Sequence, residues 1–422
     1  MLDDILYKIK KKIPVKLFGK IQPAYHLILA FLGAFIYCFP SKKIFVVGIT
    51  GTKGKTSVAE LVSAILEEAG YKTALAGTLR FKIGDKSENN NFKMTMPGRF
   101  FIQNFLRKAV KEKCDFAILE MTSEGTKQFR HKFIQLNSLI FTNLEPEHIE
   151  AHGSYKNYLK AKLQIVKALE KSPKKRRVIV VNTDDKKSSH FLNINIKEKC
   201  RYALADAEPF ELKKDGLSLT INGQKINSHL SGKFNVYNIL AATTFATSQN
   251  IGIATIKKAL EKFCGIRGRV ERIDEGQDFT VIVDYAHTPG SLEKLYEVFP
   301  NSKKICVFGS NGGGRDKWKR EVLGSIADKY CSKIILTNEG SYDEDPKTII
   351  EDIVQGIKKP IYEIIMDRGE AIEKALASAQ TGDTVLITGK GTEPNIMGPN
   401  NSKLEWDDAK ITREKLITLL KK

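Results

Sequence analysis

The sequence predicts an α/β protein built on mostly parallel sheet, and three observations carry that reading. Short apolar, β-branched runs recur along the chain, stretches with helical spacing separate them, and the first such pair is joined by a glycine-rich loop, GITGTKGKTS (48–57). Ile44-Phe45-Val46-Val47 reads as a buried strand, and over 58–69 the residues Leu61, Ile65 and Leu66 fall on one helical face. Strand, glycine loop, helix is the context in which backbone N–H groups at a helix start cradle phosphate oxygens. Lys55 adds a point charge, and the Thr56 hydroxyl suits Mg²⁺. The strict G-x-x-x-x-G-K-[ST] spacing would need glycine where the chain has Ile49; its glycines are Gly48, Gly51 and Gly54. Gly51, Thr52, Lys53, Gly54, Lys55, Thr56 and Ser57 are therefore expected to hold a nucleoside triphosphate.

The later elements follow in the same alternation. Asp115-Phe116-Ala117-Ile118-Leu119 is a strand ending in Glu120, and 138–141 is another, opening into Thr142-Asn143-Leu144. A helix is expected over 155–170 with Leu159, Leu163 and Val166 inward, then a strand over 178–181 closing on Asn182-Thr183-Asp184-Asp185. A turn-rich β region covers about 200–230, with Asn222-Gly223 as a hairpin turn. Gly265-Ile266-Arg267-Gly268-Arg269 reads as a hinge. Beyond it a second α/β unit carries strands at 281–283, 305–308, 334–336 and 385–387. The expected organisation is a basic and apolar segment (1–40), a central P-loop-type ATPase domain (41–267) and a Rossmann-like α/β C-terminal domain (268–422).

Composition sets outer bounds. At 422 residues, 42% hydrophobic and 28% charged, the chain reads as a soluble globular protein of two or three domains. The formal charge of +19 gathers in runs such as Lys10-Lys11-Lys12, Lys174-Lys175-Arg176-Arg177 and Lys186-Lys187. An anionic small substrate or an anionic membrane surface would suit it, as would a merely solvated basic face. No run interleaves with aromatics for base stacking, so nucleic acid is not expected. The six cysteines (38, 114, 200, 264, 306, 331) show no C-x-x-C pair and are expected as buried free thiols of a reducing cytosol. The stretch YHLILAFLGAFIYCF (25–39) follows a lysine-rich start but lacks an A-x-A cleavage site, and it is shorter than the roughly 20 residues a spanning helix needs. Two readings stay open for it: a helix buried against the next domain, or a membrane-surface anchor.

Glu120, at a strand end near the phosphate loop, would add a hard oxygen ligand for Mg²⁺ beside Thr56, although a strand-end carboxylate can also be merely solvated. His148 in a loop and Lys162 on a helix mean little alone. In company they become specific. GITGTKGKTS, LEMTSEG, TNLEPEHIEAHGSYKNYLKAK, VVNTDD, SGKFNVYNILAA, GIRGRVE, VDYAHTPGSLE, RDKWKR and GKGTE run in order from residue 44 to about 410. On these segments the chain resembles the Mur ligases, ATP-dependent amide ligases that build the peptidoglycan stem peptide. DYAHTP, RDKWKR and GKGTE are most similar to the tripeptide-synthetase branch, rather than to folylpolyglutamate synthases.

The resemblance implies that ATP phosphorylates the D-glutamate carboxylate of UDP-N-acetylmuramoyl-L-alanyl-D-glutamate and that an amine, a diamino acid in this branch, attacks the acyl phosphate. It implies two Mg²⁺ ions, with Lys55, Thr56 and Glu120 at the triphosphate and first ion, and His148 at the second. Lys162 matches a lysine the family carries as an N-carbamate, and counts with Thr56, Glu120 and His148 as metal-binding. Asn238 matches a residue near the adenine; Arg269, Asp284 and His287 match C-terminal positions that close over the nucleotide. For the muramyl peptide it implies Thr95, Thr122, Gln128 and Arg130, and for the amino acid Arg315, Gly389 and Glu393. It also implies a cytoplasmic monomer of cell-wall biogenesis, acting in cell shape and division on small-molecule partners, with peripheral membrane contact if residues 1–40 are an anchor.

Four departures stand out. The family's Asn-Thr-Thr-Pro is Met94-Thr95-Met96-Pro97, a family histidine is Glu124, and the Asp-Asn-Pro-Arg of many diaminopimelate-adding members is Glu339-Gly340-Ser341-Tyr342. The fourth is the front, where about 40 residues stand in place of the family's UDP-binding domain. Two alternatives therefore stay open: the same chemistry on another carboxylate (a lipid-linked muramyl peptide or a polyglutamate-type acceptor), and a degenerate non-catalytic homologue. A scaffold would need none of Lys55, Thr56, Glu120, His148 and Lys162. The glycines of 309–314 do not make G-x-G-x-x-G, so NAD is not expected.

Overall fold

The computed structural model describes residues 15–92, 94–146, 152–213, 215–314 and 316–421. They form two compact units, one of residues 15–146, 152–206 and 237–259, the other of 207–236 and 260–421.

The first unit opens with helix α1 (Val15–Ile36), which leads to strand β1 (Phe45–Thr50), the phosphate loop and helix α2 (Lys55–Glu68). Then come β2 (Thr73–Ala76), β3 (Arg80–Ile83), β4 (Lys86–Asn89), α3 (Arg99–Lys111), β5 (Phe116–Glu120), α4 (Ser123–Lys127) and β6 (Ser138–Phe141). Helix α5 (Tyr155–Glu170), β7 (Val178–Asn182), α6 (Ser188–Leu192) and β8 (Glu198–Tyr202) complete the sheet. Its order is β4-β3-β2-β5-β1-β6-β7-β8, parallel from β2 through β8. Central parallel strands are covered on both faces and so read as continuous apolar runs; β5, β6 and β7 are buried at every position. Helix α1 packs on α3 through small residues: Ala30 and Ala34 are buried, and a Cβ at Gly33 would already touch the Arg99 and Phe100 backbone. No helix among the described residues is long and apolar enough to cross a membrane.

The second unit begins with an antiparallel meander of β9 (Phe210–Lys213), β10 (Gly216–Ile221) and β11 (Gln224–Ser228). Ile221 pairs with Gln224, which leaves Asn222-Gly223 as a two-residue turn with φ of 48° and 75°, the left-handed geometry such hairpins require. In sequence, helices α7 (Lys233–Ser248) and α8 (Ile253–Lys262) follow, of which residues 237–259 belong to the first unit. Between α8 and the next strand the segment read as a hinge holds one bridge, Ile266 to Arg269. The main sheet comprises β12 (Glu271–Ile273), β13 (Thr280–Asp284), β14 (Lys304–Phe308), β15 (Lys333–Leu336), β16 (Tyr362–Ile364) and β17 (Thr384–Thr388), in the order β12-β13-β17-β14-β15-β16. Only β12 is antiparallel to its neighbour. Alternate residues feed two cores: Ile282, Cys306, Phe308, Ile334 and Leu386 on one face, Val281, Val283, Ile305, Val307 and Val385 on the other. Helices α9 (Pro289–Tyr296), α10 (Lys319–Tyr330), α11 (Pro346–Val354), α12 (Arg368–Ser378) and α13 (Asp408–Leu420) cover them. Arg368 on α12 and Asp408 on α13, both fully buried, form a two-point ion pair at 2.8 Å.

The cysteines correct the sequence reading. Cys306 and Cys331 are joined in a disulfide, and Cys38 and Cys264 are exposed; only Cys114 is a buried free thiol. The β14–α10–β15 crossover is the reason. It returns the chain so that the end of α10 lies against β14, with the two Cα atoms 6.2 Å apart, inside bonding range.

Candidate active site

The phosphate loop is shaped by what lies under it. Gly51 has no room for a side chain, since a Cβ there would strike the Thr142 hydroxyl beyond β6. Gly54, at φ 81°, caps α2, and a Cβ there would meet the Asn238 side-chain oxygen of α7. The residues after β6 clamp the loop from below. Asn143 Oδ1 accepts from the Lys53 amide (2.9 Å), the Thr142 hydroxyl donates to the Lys53 carbonyl (2.6 Å), and the Thr52 hydroxyl shares a 2.9 Å hydrogen bond with Tyr158 on α5.

Two lysines meet on this loop. Lys55 Nζ donates to the carbonyl oxygens of Gly51 and Thr52, each at 2.9 Å. Lys162 Nζ donates to the same Gly51 oxygen at 2.8 Å and sits 5.0 Å from the Tyr158 ring centroid. Lys162 is 2% exposed, which few lysines are without a dedicated partner.

Glu120, 1% exposed at the end of β5, organises the other wall. Its carboxylate accepts from the Thr56 hydroxyl (3.0 Å), the Thr78 amide (2.8 Å) and the Thr78 hydroxyl (3.0 Å), and Thr78 in turn pairs with Thr95 at 2.9 Å. Burial pushes the Glu120 carboxyl up, while the Thr78 amide and the Lys55 charge oppose the rise. A carboxylate and a hydroxyl on one spot are the hard-oxygen donors Mg²⁺ takes, so the residues fit that ion. Thr78 was not foreseen; the only signal was a Gly77-Thr78 pair closing a short strand.

The residues expected at the muramyl peptide also converge. The Thr122 side chain caps α4 by accepting from the Gly125 amide (3.1 Å). Arg130 donates to the Gln128 side chain (2.7 Å) and to the Met96 carbonyl, one residue from Thr95. His148 and Arg315 lie outside the described residues.

In the second unit a separate cluster forms at the ends of β13 and β17. The Arg269 guanidinium lies 4.4 Å from the Tyr285 ring centroid, and the Tyr285 hydroxyl donates to Glu393 (2.8 Å), whose other oxygen takes Lys390 Nζ (2.7 Å). His287 Nδ1 lies 2.8 Å from the Tyr285 carbonyl. The Asp284 carboxylate accepts from the backbone amides of Val270 (2.7 Å) and Ala286 (2.6 Å), fixing the turn that carries Arg269. Gly389, at φ 105°, leaves space that Glu339 fills: a Cβ would strike that carboxylate. Glu339 is 1% exposed, accepts from Asn311 (2.7 Å), and has its carboxyl pushed up by burial. Arg269, Asp284, His287, Gly389 and Glu393 are thus brought together, with Tyr285, Lys390 and Glu339 as unforeseen members.

A phosphate loop backed by a buried carboxylate and a buried second lysine, on this pair of α/β units, defines an ATP-dependent, ADP-forming acid–amino-acid ligase. The Mur ligase middle domain matches residues 49–246, and the Mur ligase glutamate ligase domain matches 268–391. The chain is 38% identical over 406 residues to a UDP-N-acetylmuramoyl-L-alanyl-D-glutamate–2,6-diaminopimelate ligase of Syntrophomonas wolfei, covering 92% of this chain and 81% of that protein. It is 36% identical over 425 residues to a UDP-N-acetylmuramyl-tripeptide synthetase of Roseiflexus sp., covering 94% and 83%. A solved structure of a UDP-N-acetylmuramoyl-L-alanyl-D-glutamate–2,6-diaminopimelate ligase superposes with a TM-score of 0.62 at 27% identity, over 89% of this chain and 79% of that one. The chain belongs to the Mur ligase family, whose members use ATP and Mg²⁺.

Proposed function

We propose that this ligase adds an amino acid, a diamino acid in the tripeptide-synthetase branch it resembles, to the D-glutamate of UDP-N-acetylmuramoyl-L-alanyl-D-glutamate in peptidoglycan precursor synthesis. The convergence of Lys55 and Lys162 on the Gly51 carbonyl carries the reading, beside the names of relatives at 33–38% identity. Lys55 and the loop amides bind the triphosphate, with Thr56 and Glu120 as the donors for Mg²⁺. That ion, when bound, neutralises charge on the transferred phosphoryl group. The acceptor carboxylate takes the γ-phosphoryl group, which converts a poor leaving group into a good one. The amine then displaces phosphate and forms the amide. Thr95, Thr122, Gln128 and Arg130 orient the muramyl peptide; a guanidinium suits its anionic groups. Arg269, Asp284 and His287 take the nucleotide role in the C-terminal domain (268–422), with Asn238 in the central domain (41–267).

Lys162 is assigned as an N-carbamate. Two ammonium groups held on one oxygen repel each other. Once the Lys162 ammonium gives a proton to solvent, the neutral amine adds CO₂ and releases a second proton, which leaves a carbamate anion, so repulsion becomes attraction. With His148 that anion completes a second Mg²⁺ site. For the amino acid, Gly389, Glu393 and Arg315 are the contacts, and Tyr342 stands where the family's arginine would grip a distal carboxylate. We place the reaction in the cytoplasm, in a monomer in contact with the inner membrane surface.

Phosphate release from ATP tests this, with the muramyl dipeptide and amino acids supplied singly in the presence of Mg²⁺ and bicarbonate. Turnover that needs the dipeptide and one amino acid supports the assignment and names the specificity. An ATP-binding protein that the UDP-dipeptide fails to stimulate sinks it, and leaves another carboxylate acceptor.

A further inference from the structure

We propose that the outer face of α1 docks on a layer of anionic phospholipid headgroups, with the helix lying in the membrane plane. Leu27, Ile28, Phe31, Leu32, Phe35 and Ile36 point outward, each between 40% and 61% exposed. A contiguous apolar face on a water-facing helix marks an interaction surface. The helix cannot hide it by rotating, because Ala30, Gly33 and Ala34 are the small residues that let the opposite face approach α3.

Length and charge identify the occupant. From Ala24 to Ile36 the apolar stretch is about 20 Å long at roughly 1.5 Å per residue, against about 30 Å of bilayer hydrocarbon, so it lies on the membrane and does not span it. No Asp, Glu, Lys or Arg stands between Gln22 and Ser41. Between Asp4 and Glu60 there is no acidic residue, while lysines occupy 8, 10, 11, 12, 16 and 20 before this face and 42 and 43 after it. Helix α3, which supports α1, carries Arg99, Arg107, Lys108 and Lys111 and no acid. Basic flanks around an apolar face are complementary to an anionic lipid surface. A second copy would set these cations against their own kind. Tyr25 and Tyr37 stand at the two ends of the face, the residue type favoured at headgroup level. The surface is independent of which acceptor the ligase uses.

The test is co-sedimentation of the full chain with phosphatidylcholine vesicles and with vesicles also containing phosphatidylglycerol. Binding to the anionic vesicles is expected to be about tenfold or more tighter and to weaken with salt. Ile28→Ser with Phe35→Ser, and separately Leu32→Ser with Ile36→Ser, should each lose about tenfold or more of that binding with an unchanged melting temperature, since all four side chains are exposed. Wild-type protein that stays in solution with both vesicles overturns the proposal. So does equal binding by wild type and both variants. So, too, does a lipid-free dimer in light scattering that either double substitution dissociates.

Discussion

Lys55 and Lys162, carried by different helices, share one acceptor, the carbonyl oxygen of Gly51, at 2.9 and 2.8 Å. The lysine that opens α2 and the buried lysine of α5 are thereby held at a single point of the loop. Lys162→Ala is expected to abolish turnover, by about a thousandfold or more, while the circular dichroism spectrum and melting temperature stay near wild type. A Lys162→Ala enzyme with the wild-type rate removes the carbamate assignment.

Glu120 gives a prediction with a definite sign. Burial raises its carboxyl above the unfolded value, so between the unfolded and folded values the folded state binds more protons than the unfolded one. The nucleotide-free protein therefore loses stability as the pH rises through and beyond the ordinary carboxylate range. Glu120→Gln should lack that loss and melt higher near neutral pH, yet fall about a hundredfold or more in kcat. Thermal melts across pH, paired with phosphate-release assays, read both halves.

Thr78 bridges Glu120 and Thr95. Thr78→Val keeps the volume and the backbone donor but removes the hydroxyl. A loss of about 1–2 kcal/mol of transition-state stabilisation is expected, roughly five- to thirtyfold in kcat/KM, with recovery in Thr78→Ser. An unchanged kcat/KM in Thr78→Val would show that the bridge is only structural.

His131, 1% exposed, has no hydrogen-bond partner at either ring nitrogen among the described residues, and burial pushes it down to about 4. The unfolded chain takes up that proton near 6.5 and the folded one only near 4. Stability should thus fall as the pH drops across that window, by up to about 3 kcal/mol from this residue. Chemical denaturation of His131→Phe at pH 7 and pH 5 should show a smaller acid loss than wild type.

The Arg368–Asp408 pair joins α12 to α13 with no exposed surface. Arg368→Met leaves the buried Asp408 carboxylate without its cation, with the Trp406 indole N–H still donating to it at 2.7 Å, and should destabilise by about 3–5 kcal/mol, whereas adding Asp408→Leu should recover part of it. Urea unfolding of the single and double variants distinguishes this from a surface pair, for which both changes would be nearly silent.

Much of the frame is legible in the chain. The helix expected over 155–170 spans those residues, and the strand expected over 305–308 gains a single residue, because a continuous apolar run in a parallel sheet leaves little freedom of placement. Residues singled out from the motifs do lie together within each unit, Lys55 with Lys162 on Gly51 and Arg269 with Asp284 beside Tyr285. What could not be read depends on distant parts of the chain meeting. Thr78 matters only because β2 lies beside β5, Glu339 only because Gly389 leaves it space, and Cys306 finds Cys331 only through the crossover. Helix α1 eluded a single reading because it has two faces, one built of small residues and one of large ones.

The clamp of Thr142 and Asn143 on Lys53 has a consequence for the order of assembly. The loop is written in residues 48–57, yet its seat arrives some 90 positions later, at the end of β6. Pairings of that span carry a loop-closure penalty and form slowly. During synthesis the nascent chain would carry the whole glycine motif without a place to rest it until β6 had docked against β1. A fragment ending before residue 138 would hold every letter of the motif and no finished cradle.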